Sequence, residues 1–435
     1  MSATINQRVF SDYFGRDAAL FEIPGRTHPV QDHYLEDILP RLSYQPAGRP
    51  AKKMAAAELE SMHAAFRAKG VTDEATLRAL ETLTRSERID YGLTGAVCAY
   101  CLRSSADQGG AVLVVRALLS IVILAAADSR RLQFMSGVAE IRQAIEAIKS
   151  AVAGMPVDVL PLHANLSTDE QKAVFKPPRA GHRKVVVSTN VAETSVTIDD
   201  IVYVVDAARV KENRYDPGTG LVRLVEGYTS KAASKQRRGR AGRVRPGQCY
   251  KLYTTWTESR YMADQPTPEL VRIPLEMLSL QIKAIHEDAD VRAYLSRAIT
   301  PPDMRAVDRA WALLIELGAI DPSSGRLTAL GRHLSMMPID LRIGKMLIYG
   351  AIFCCLDPIL DVAAILANKP LFLSPPDQKS EATAAHMRFL TDSSDLLSVR
   401  RAFCELYELR RSQRDLRALS EEVRRRGPVP SVRVV

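Results

Sequence analysis

Three short apolar runs set the strongest limit on the fold of this 435-residue chain. Val157–Leu162, Lys184–Ser188 and Ile201–Asp206 are each rich in Val, Ile or Leu, and helix-length segments separate them. Strands that are buried on both faces of a parallel sheet have this composition. The sequence therefore predicts an α/β fold built on a parallel sheet.

Before these runs the chain is helical in pattern, from Pro40 to Gly110. Gly70 follows one predicted helix, and Asp73 is placed to cap the next. After them, Val205–Glu226 is predicted to form a β-hairpin whose turn is Asp216–Gly220.

From Pro266 onward the spacing of apolar residues is helical. Two predicted helices are followed by Arg326–Thr328, which could form a short strand, and this order suits a winged helix.

The chain carries 59 Lys and Arg against 50 Asp and Glu, and its pI is near 9.2. This excess favours binding to phosphate groups, although a solvated basic surface has the same composition.

Cys98 and Cys101 have C-x-x-C spacing but no second pair nearby, so we expect reduced thiols and no metal site. The apolar run from Ala117 to Ala127 is too short for a bilayer. We expect no membrane association and a cytoplasmic, or alternatively nuclear, location.

Gln236–Arg243 reads Q-R-R-G-R-A-G-R. If this segment is helical, Gln236, Arg240 and Arg243 lie on one face. Guanidinium groups pair bidentately with phosphate oxygens, so such a face suits a triphosphate. The alternative is a solvated basic helix, which would leave the cost of two helical glycines unexplained.

Upstream, the valine run Val185–Val187 opens into Ser188–Asp199, a stretch dense in hydroxyl and amide groups. Ligands bind open α/β sheets at the carboxyl ends of strands. The alternative is an ordinary polar connection.

In this order, Ser188–Asp199 and Gln236–Arg243 resemble motifs V and VI of superfamily 2 helicases of the DEAH/RHA type. The resemblance covers most of the chain. It extends to motif III at Met1–Thr4, motif IV at Phe134–Gly137, the segment called IVa at Pro161–Phe175, a winged helix from Thr267 to Pro302, and the start of a ratchet domain at Leu327–Pro370.

The implied fold is one RecA-like parallel-sheet domain followed by an all-α winged helix and part of a helical ratchet region. The implied boundaries are 1–25 for the remnant of a first RecA-like domain, 26–253 for the second one with a helical insertion at about 42–108, 254–325 for the winged helix, 326–420 for the partial ratchet domain and 421–435 for a disordered tail.

The resemblance also implies roles at the nucleotide. Arg240 and Arg243 would be arginine fingers on the γ-phosphate of ATP, and Gln236 would help to hold it. The other implied nucleotide contacts are Ser195 at the γ-phosphate, Asp199 at the ribose, Phe175 on the adenine and Thr4 in motif III. A core position at the end of a helix is the alternative for Phe175.

The implied nucleic-acid partner is single-stranded RNA, held by its backbone without regard to sequence. The residues implied in this contact are Thr189, Asn190, Ser136, Gly137, His163 and Asn165. The hairpin Val205–Glu226 would separate strands. The parent protein would be an ATP-dependent RNA helicase moving 3′ to 5′, and a protein cofactor stays an open question.

The sequence departs from the family by having no G-x-x-x-x-G-K-[S/T] phosphate loop and no D-E-A-H-like box. The ligands of Mg²⁺ and of the phosphates are therefore expected mainly on a missing domain, and this chain alone is expected to be inactive. An incomplete gene is the expected cause. The alternative is a non-catalytic, RNA-binding or regulatory module.

A second departure is Val115–Gln133, which separates the apparent strand Gly110–Val114 from motif IV. A retained intron or an error in the gene sequence is the expected origin. The alternative is a genuine family-specific insertion looped to the surface, although its apolar content argues against exposure.

Overall fold

The computed structural model describes residues 7–15, 19, 21, 28–42, 44–48, 53–86, 88–104, 111–115, 138–163, 166, 168–189, 198, 200–368, 371–372, 379–391 and 393–411. These residues form two compact units. The first holds the described residues up to Ile273 except the hairpin tip Asp216–Leu221. The second holds that tip and the described residues from Pro274 onward.

A six-stranded sheet forms the centre of the first unit, in the order β1-β8-β5-β2-β4-β3. Its strands are β1 (Val30–His33), β2 (Ala111–Val115), β3 (Val157–Leu162), β4 (Arg183–Ser188), β5 (Ile201–Asp206) and β8 (Gly247–Lys251). All five neighbouring pairs are parallel. The parallel sheet predicted from the apolar runs is therefore confirmed.

Both faces of this sheet are buried. Along β2, Val112 and Val114 contribute to one hydrophobic core, whereas Leu113 and Val115 contribute to another. All five residues of β2 are buried. Successive side chains of a strand point to opposite faces of the sheet, and every residue of β2 is apolar. Other parts of the chain must therefore pack on both faces of the sheet.

The core on the first face takes buried residues from α2 (Leu35–Leu42), α3 (Ala56–Ala68), α4 (Glu74–Thr84), α5 (Tyr91–Ser104) and α6 (Val138–Ala151), and Trp256 adds to it. The predicted helical segment between Pro40 and Gly110 thus supplies core residues. Asp73 caps α4 as predicted, since its carboxylate accepts a hydrogen bond from the Thr76 amide at 2.8 Å. The remaining described helices of this unit are α1 (Gln7–Phe14), α7 (Thr168–Ala173), α8 (Lys231–Arg238) and α9 (Thr255–Tyr261).

The hairpin consists of β6 (Arg209–Asp216) and β7 (Leu221–Tyr228). Its turn lies where the sequence predicts it, but its first strand begins later than the predicted Val205. The reason is that Val205 and Asp206 are paired in the parallel sheet as the end of β5. Ala208, at φ 50°, then turns the chain out of the sheet.

The base of the hairpin packs against the segment between α4 and α5. Arg209 donates to the Ser86 carbonyl at 2.8 Å, and its guanidinium lies 4.1 Å from the centre of the Tyr228 ring. The helical segment therefore contacts the first residue of β6 as well as the sheet.

The second unit is helical. Its helices are α10 (Glu276–Ile285), α11 (Val291–Ser296), α12 (Met304–Glu316), α13 (Ala329–Ser335), α14 (Leu341–Ile352), α15 (Leu356–Ala367), α16 (Lys379–Met387) and α17 (Asp395–Arg411). A core that includes Leu280, Leu314, Leu334 and Leu341 joins α10, α12, α13 and α14. Where a short strand was predicted near Arg326–Thr328, the described structure has one antiparallel bridge, Ile320 to Leu327.

No helix in the described part of the chain has the length and apolar character needed to cross a membrane. The predicted tail 421–435 and residues 116–137 lie outside the described residues. The structure does decide which residues fill the central strand: Ala111–Val115 lie between β4 and β5.

We predict that deleting residues 116–133, which joins Val115 to Phe134, raises the melting temperature and the solubility. The slot between β4 and β5 is already filled, so the apolar residues of this segment have no place in that strand. The predicted start of the interrupting segment at Val115 is wrong: Val115 ends β2, where it is buried and paired with Ser188 and Asp206, so the deletion keeps it. Scanning calorimetry of the two proteins measures the effect, and an unchanged or lower melting temperature would mean that the segment is part of the fold.

Candidate functional site

Six of the predicted site residues lie in the described part of the chain: Gln236, Arg240, Arg243, Phe175, Thr189 and His163. The others lie outside it, and their roles stay predictions: Thr4, Ser136, Gly137, Asn165, Asn190, Ser195 and Asp199.

The arginine-rich segment, residues 231–243, begins with helix α8, and its last five residues are not helical. Ser230 caps α8 by accepting a hydrogen bond from the Ala233 amide at 3.1 Å, and the helix ends at Arg238. Arg240 and Arg243 follow in turns, so the expectation that they share a helical face with Gln236 is wrong. After Arg238 the amides of Arg240 and Ala241 donate three residues back, to the Arg237 and Arg238 carbonyls, instead of four residues back as in an α-helix.

Gly242 brings the chain that follows the helix against the start of β1. A Cβ atom on Gly242 would lie 2.6 Å from the His28 carbonyl oxygen and 2.6 Å from Cγ2 of Val30. The carbonyl of Gly242 also accepts a hydrogen bond from the His28 amide at 2.8 Å. Glycine is therefore needed for space, because the backbone lies directly on the start of β1.

A buried ion pair anchors α8 to the sheet. Arg237 donates through Nη1 to Oδ1 of Asp206 at 2.9 Å, and the two side chains are 1% and 0% exposed. Asp206 is the last residue of β5. Since an unpaired buried charge is very costly, the position of the helix is tied to the end of this strand.

Other donors complete the coordination of Asp206. The Ala208 amide donates to Oδ1 at 2.8 Å, and the Ser234 hydroxyl donates to Oδ2 at 2.9 Å. The Ser234 hydroxyl is also 2.7 Å from the Tyr253 hydroxyl. Burial, and then the charge of Asp206, raises the pKa of Tyr253 far above its usual value, so this hydroxyl keeps its proton.

The structural roles of Arg237 and Asp206 were not predicted from the sequence. The available signal was an aspartate at the end of an otherwise apolar strand, because an acid there is buried only when it is paired.

The next residue, Arg238, is held at the edge of the sheet. Its Nε donates to Oδ1 of Asp32 in β1 at 2.8 Å, and its Nη2 donates to the Val30 carbonyl. Two of the four arginines in the segment are therefore structural. Gln236 and Arg240 are half-buried beside them, and Arg243 is exposed.

Phe175 follows the short helix α7, and 51% of its surface is exposed. Its neighbour Val174 is fully buried, in the core of the second face of the sheet with Ile198 and Ala241. The core position considered for Phe175 thus belongs to Val174. An exposed aromatic ring can stack on a base, and the predicted contact with adenine stays a prediction.

Thr189 and His163 are both buried, at 3% and 7% exposure. The Thr189 amide donates to the Leu162 carbonyl at 3.1 Å, which extends the pairing of β3 and β4 by one residue. Their contact with an RNA backbone stays a prediction.

The guanidinium groups of Arg240 and Arg243 suit the phosphates of ATP. For Mg²⁺ the described residues offer no comparable set: no group of three or more His, Cys, Asp or Glu side chains among them could hold a metal ion.

We predict that Arg237→Ala lowers the free energy of unfolding by about 3–5 kcal/mol, because it leaves Asp206 buried without its counter-ion. Lys235→Ala, on an exposed position of the same helix, is the matched control and should change stability little. Urea titration followed by circular dichroism measures both. Equal effects of the two substitutions would show that the ion pair does not hold α8.

A second prediction concerns the two glycines of the segment. Gly242→Ala should destabilise the protein by about 1–3 kcal/mol, because the new methyl group overlaps the chain before β1. Gly239→Ala should instead be neutral or stabilise by about 0.4–1 kcal/mol, because its φ is −61° and a Cβ there meets atoms no closer than 3.4 Å. Melting temperatures that fall equally in both variants would contradict the assigned contact.

Three protein-family descriptions match the chain. Residues 114–245 match the helicase conserved C-terminal domain. Residues 310–339 match the winged-helix part of the helicase-associated domain HA2, and residues 340–427 match its ratchet-like part.

Similar proteins cover nearly the whole chain. A putative DEAH-box ATP-dependent helicase of Mycosarcoma maydis is 47% identical over 95% of this chain and 26% of its own length. The putative ATP-dependent RNA helicase DHX57 of Homo sapiens is 35% identical over 93% of this chain and 31% of its own length. The ATP-dependent DNA/RNA helicase DHX36 of Homo sapiens is 36% identical over 94% of this chain and 40% of its own length. The chain thus spans 26% to 40% of the length of these relatives.

Among solved structures, the DExH-box NTPase HrpB of E. coli is similar, with a TM-score of 0.61 and 25% identity, over 92% of this chain and 39% of HrpB. The expected fold, a RecA-like sheet followed by a helical winged-helix and ratchet region, is confirmed by this likeness and by the matched domains. The chain belongs to the DEAH/RHA-type helicases and corresponds to their C-terminal portion.

Proposed function

We propose that this chain supplies the C-terminal half of an ATP-driven motor that moves 3′ to 5′ on single-stranded RNA. The observation that carries the proposal is the anchoring of the arginine-rich segment. Arg237 and Arg238 are held by Asp206 and Asp32, while Arg243 is exposed a few residues later. A rigidly held backbone with an exposed guanidinium beyond it is the arrangement that an arginine finger needs.

In this proposal Arg240 and Arg243 approach the γ-phosphate, and Gln236 assists them. They stabilise the charge that develops as the phosphoryl group is transferred. When bound with ATP, Mg²⁺ would neutralise phosphate charge. The protein ligands of Mg²⁺ and the phosphate loop are proposed to belong to a partner RecA-like domain. The 435 residues contain no phosphate-loop sequence motif.

RNA would be held through its phosphates. The sequence is basic, and the stretch that follows β4 is rich in hydroxyl and amide groups, which suit backbone contacts without base recognition. The hairpin of β6 and β7 would separate strands. Its base is fixed by Arg209, which contacts Ser86 and Tyr228, so it would not bend freely under load.

We also propose that these 435 residues alone do not turn over ATP, because no sequence motif among them supplies the phosphate-loop lysine. The same feature favours a second candidate, a non-catalytic RNA-binding module. Both candidates give an inactive isolated chain, so an ATPase assay on that chain does not separate them.

A chimera separates the two candidates. Residues 1–435 would replace the matching part of the Mycosarcoma maydis relative, which is 47% identical over this region. We predict that the chimera hydrolyses ATP when single-stranded RNA is added. Arg243→Ala should lower that rate by about 10³-fold or more, the contribution of an arginine finger. Phosphate release measures the rate.

Lys235→Ala, on the same segment, is the control and should keep the full rate. Fluorescence anisotropy with labelled single-stranded RNA at low and moderate salt shows whether each protein still binds RNA, with the steep loss at higher salt expected of phosphate contacts. A chimera that binds RNA and hydrolyses no ATP supports the non-catalytic module. An Arg243→Ala variant that loses RNA and keeps its turnover makes the segment a basic RNA patch.

A further inference from the structure

Lys184 is a buried lysine whose position the sequence does not explain. It is the second residue of β4, and its side chain is 1% exposed. Taking an ammonium group out of water is costly unless charge and hydrogen bonds compensate it. Its partners therefore show what the residue holds.

The ammonium group makes three contacts, as many as it has donors. Nζ donates to the Val174 carbonyl at 2.9 Å and to the Lys176 carbonyl at 3.1 Å. It also pairs with Oδ2 of Asp200 at 2.8 Å. The two carbonyls belong to the residues on either side of Phe175, so the ammonium group holds the backbone before and after the aromatic residue.

The third contact connects this loop to the start of β5. Asp200 directly precedes β5, and its carbonyl accepts a hydrogen bond from the Ala111 amide of β2 at 2.8 Å. It also follows Asp199, the residue expected at the ribose. The Lys184 ammonium group thus connects two segments: the loop that carries Phe175, the expected adenine contact, and the segment before β5, where Asp199 is the expected ribose contact.

Phe175 itself is exposed at 51%, and its backbone is held by few other contacts. Its amide donates to the Lys172 carbonyl at 3.1 Å, and the Lys176 amide donates to Ala173 at 3.3 Å. These are the last turns of a six-residue helix, which is too short to be rigid without tertiary contacts.

We propose that Lys184 is the positioning residue of the adenine subsite: it fixes the backbone on both sides of Phe175 and aligns that ring with the segment before β5. This inference rests on the proposed nucleotide-binding function. A methionine would fill the same space but would leave the Val174 and Lys176 carbonyls without this donor. The ammonium group therefore stabilises the loop and also sets its geometry.

The test uses the chain as it stands with ADP as the probe. Saturation-transfer NMR reports the contact of each ADP proton with the protein. The saturation received by adenine H2 and H8, divided by that received by ribose H1′, measures stacking of the base. In the native protein this ratio should be high. Phe175→Ala should lower it and weaken ADP binding by roughly 5- to 150-fold, the range for loss of one stacked base.

Lys184→Met should lower the ratio as Phe175→Ala does, and the double variant should show no further loss. Hydrogen exchange at the Phe175 and Lys176 amides should become faster. Lys172→Met, on an exposed position of α7, is the matched control and should resemble the native protein. Should Lys184→Met fail to fold, Lys184→Gln, which keeps two donors without the charge, should give an intermediate ratio.

The outcomes separate the two levels of the proposal. A native protein whose adenine protons receive no saturation would overturn an adenine subsite on this chain, whereas the proposed motor function is tested by the ATPase rate of the chimera. A native ratio in Lys184→Met or Lys184→Gln, beside a low ratio in Phe175→Ala, would overturn the role of Lys184 alone.

Discussion

The ion pair between Asp206 and Arg237 is the constraint on which the arrangement of the candidate site depends. Its two side chains are 0% and 1% exposed, and neither charge could stay in the interior without the other. Asp206 ends an interior strand of the sheet, so its position follows from the pairing of β5 with β2 and β8. Strand pairing therefore fixes the position of Asp206, and the ion pair with Asp206 fixes Arg237. The position of the rest of the arginine-rich segment follows from that of Arg237.

Different residues of that segment have different structural roles. Arg237 and Arg238 make ion pairs, and Gly242 gives the space for the chain to lie on the start of β1. Gln236, Arg240 and Arg243 are the residues proposed to meet the nucleotide. Asp206 and Asp32 neutralise two charges of the segment, which lowers the mutual repulsion of its basic residues.

The helical stretch between α2 and β2 is part of the fold. Met62 and Phe66 of α3 and Leu80 of α4 have no exposed surface, and they share a core with the valines of β2 and β4. The loop after α4 also accepts a hydrogen bond from Arg209 at the base of the hairpin. A stretch that looks like an insertion in the sequence thus covers one face of the sheet and supports the hairpin.

The class of fold, the family and the groups available for chemistry could be predicted from the sequence, because they depend on local patterns. Apolar runs such as Ile201–Asp206 predict buried parallel strands wherever the rest of the chain goes, and the order of residues in Gln236–Arg243 identifies the motif. Where α8 ends and which arginines are structural became clear from the three-dimensional contacts, because these depend on residues far away in the chain, such as Asp32 and Asp206. For the same reason the sequence could not assign a role to Lys184, whose partners lie 8 to 16 positions away on separate elements and meet only when the sheet forms.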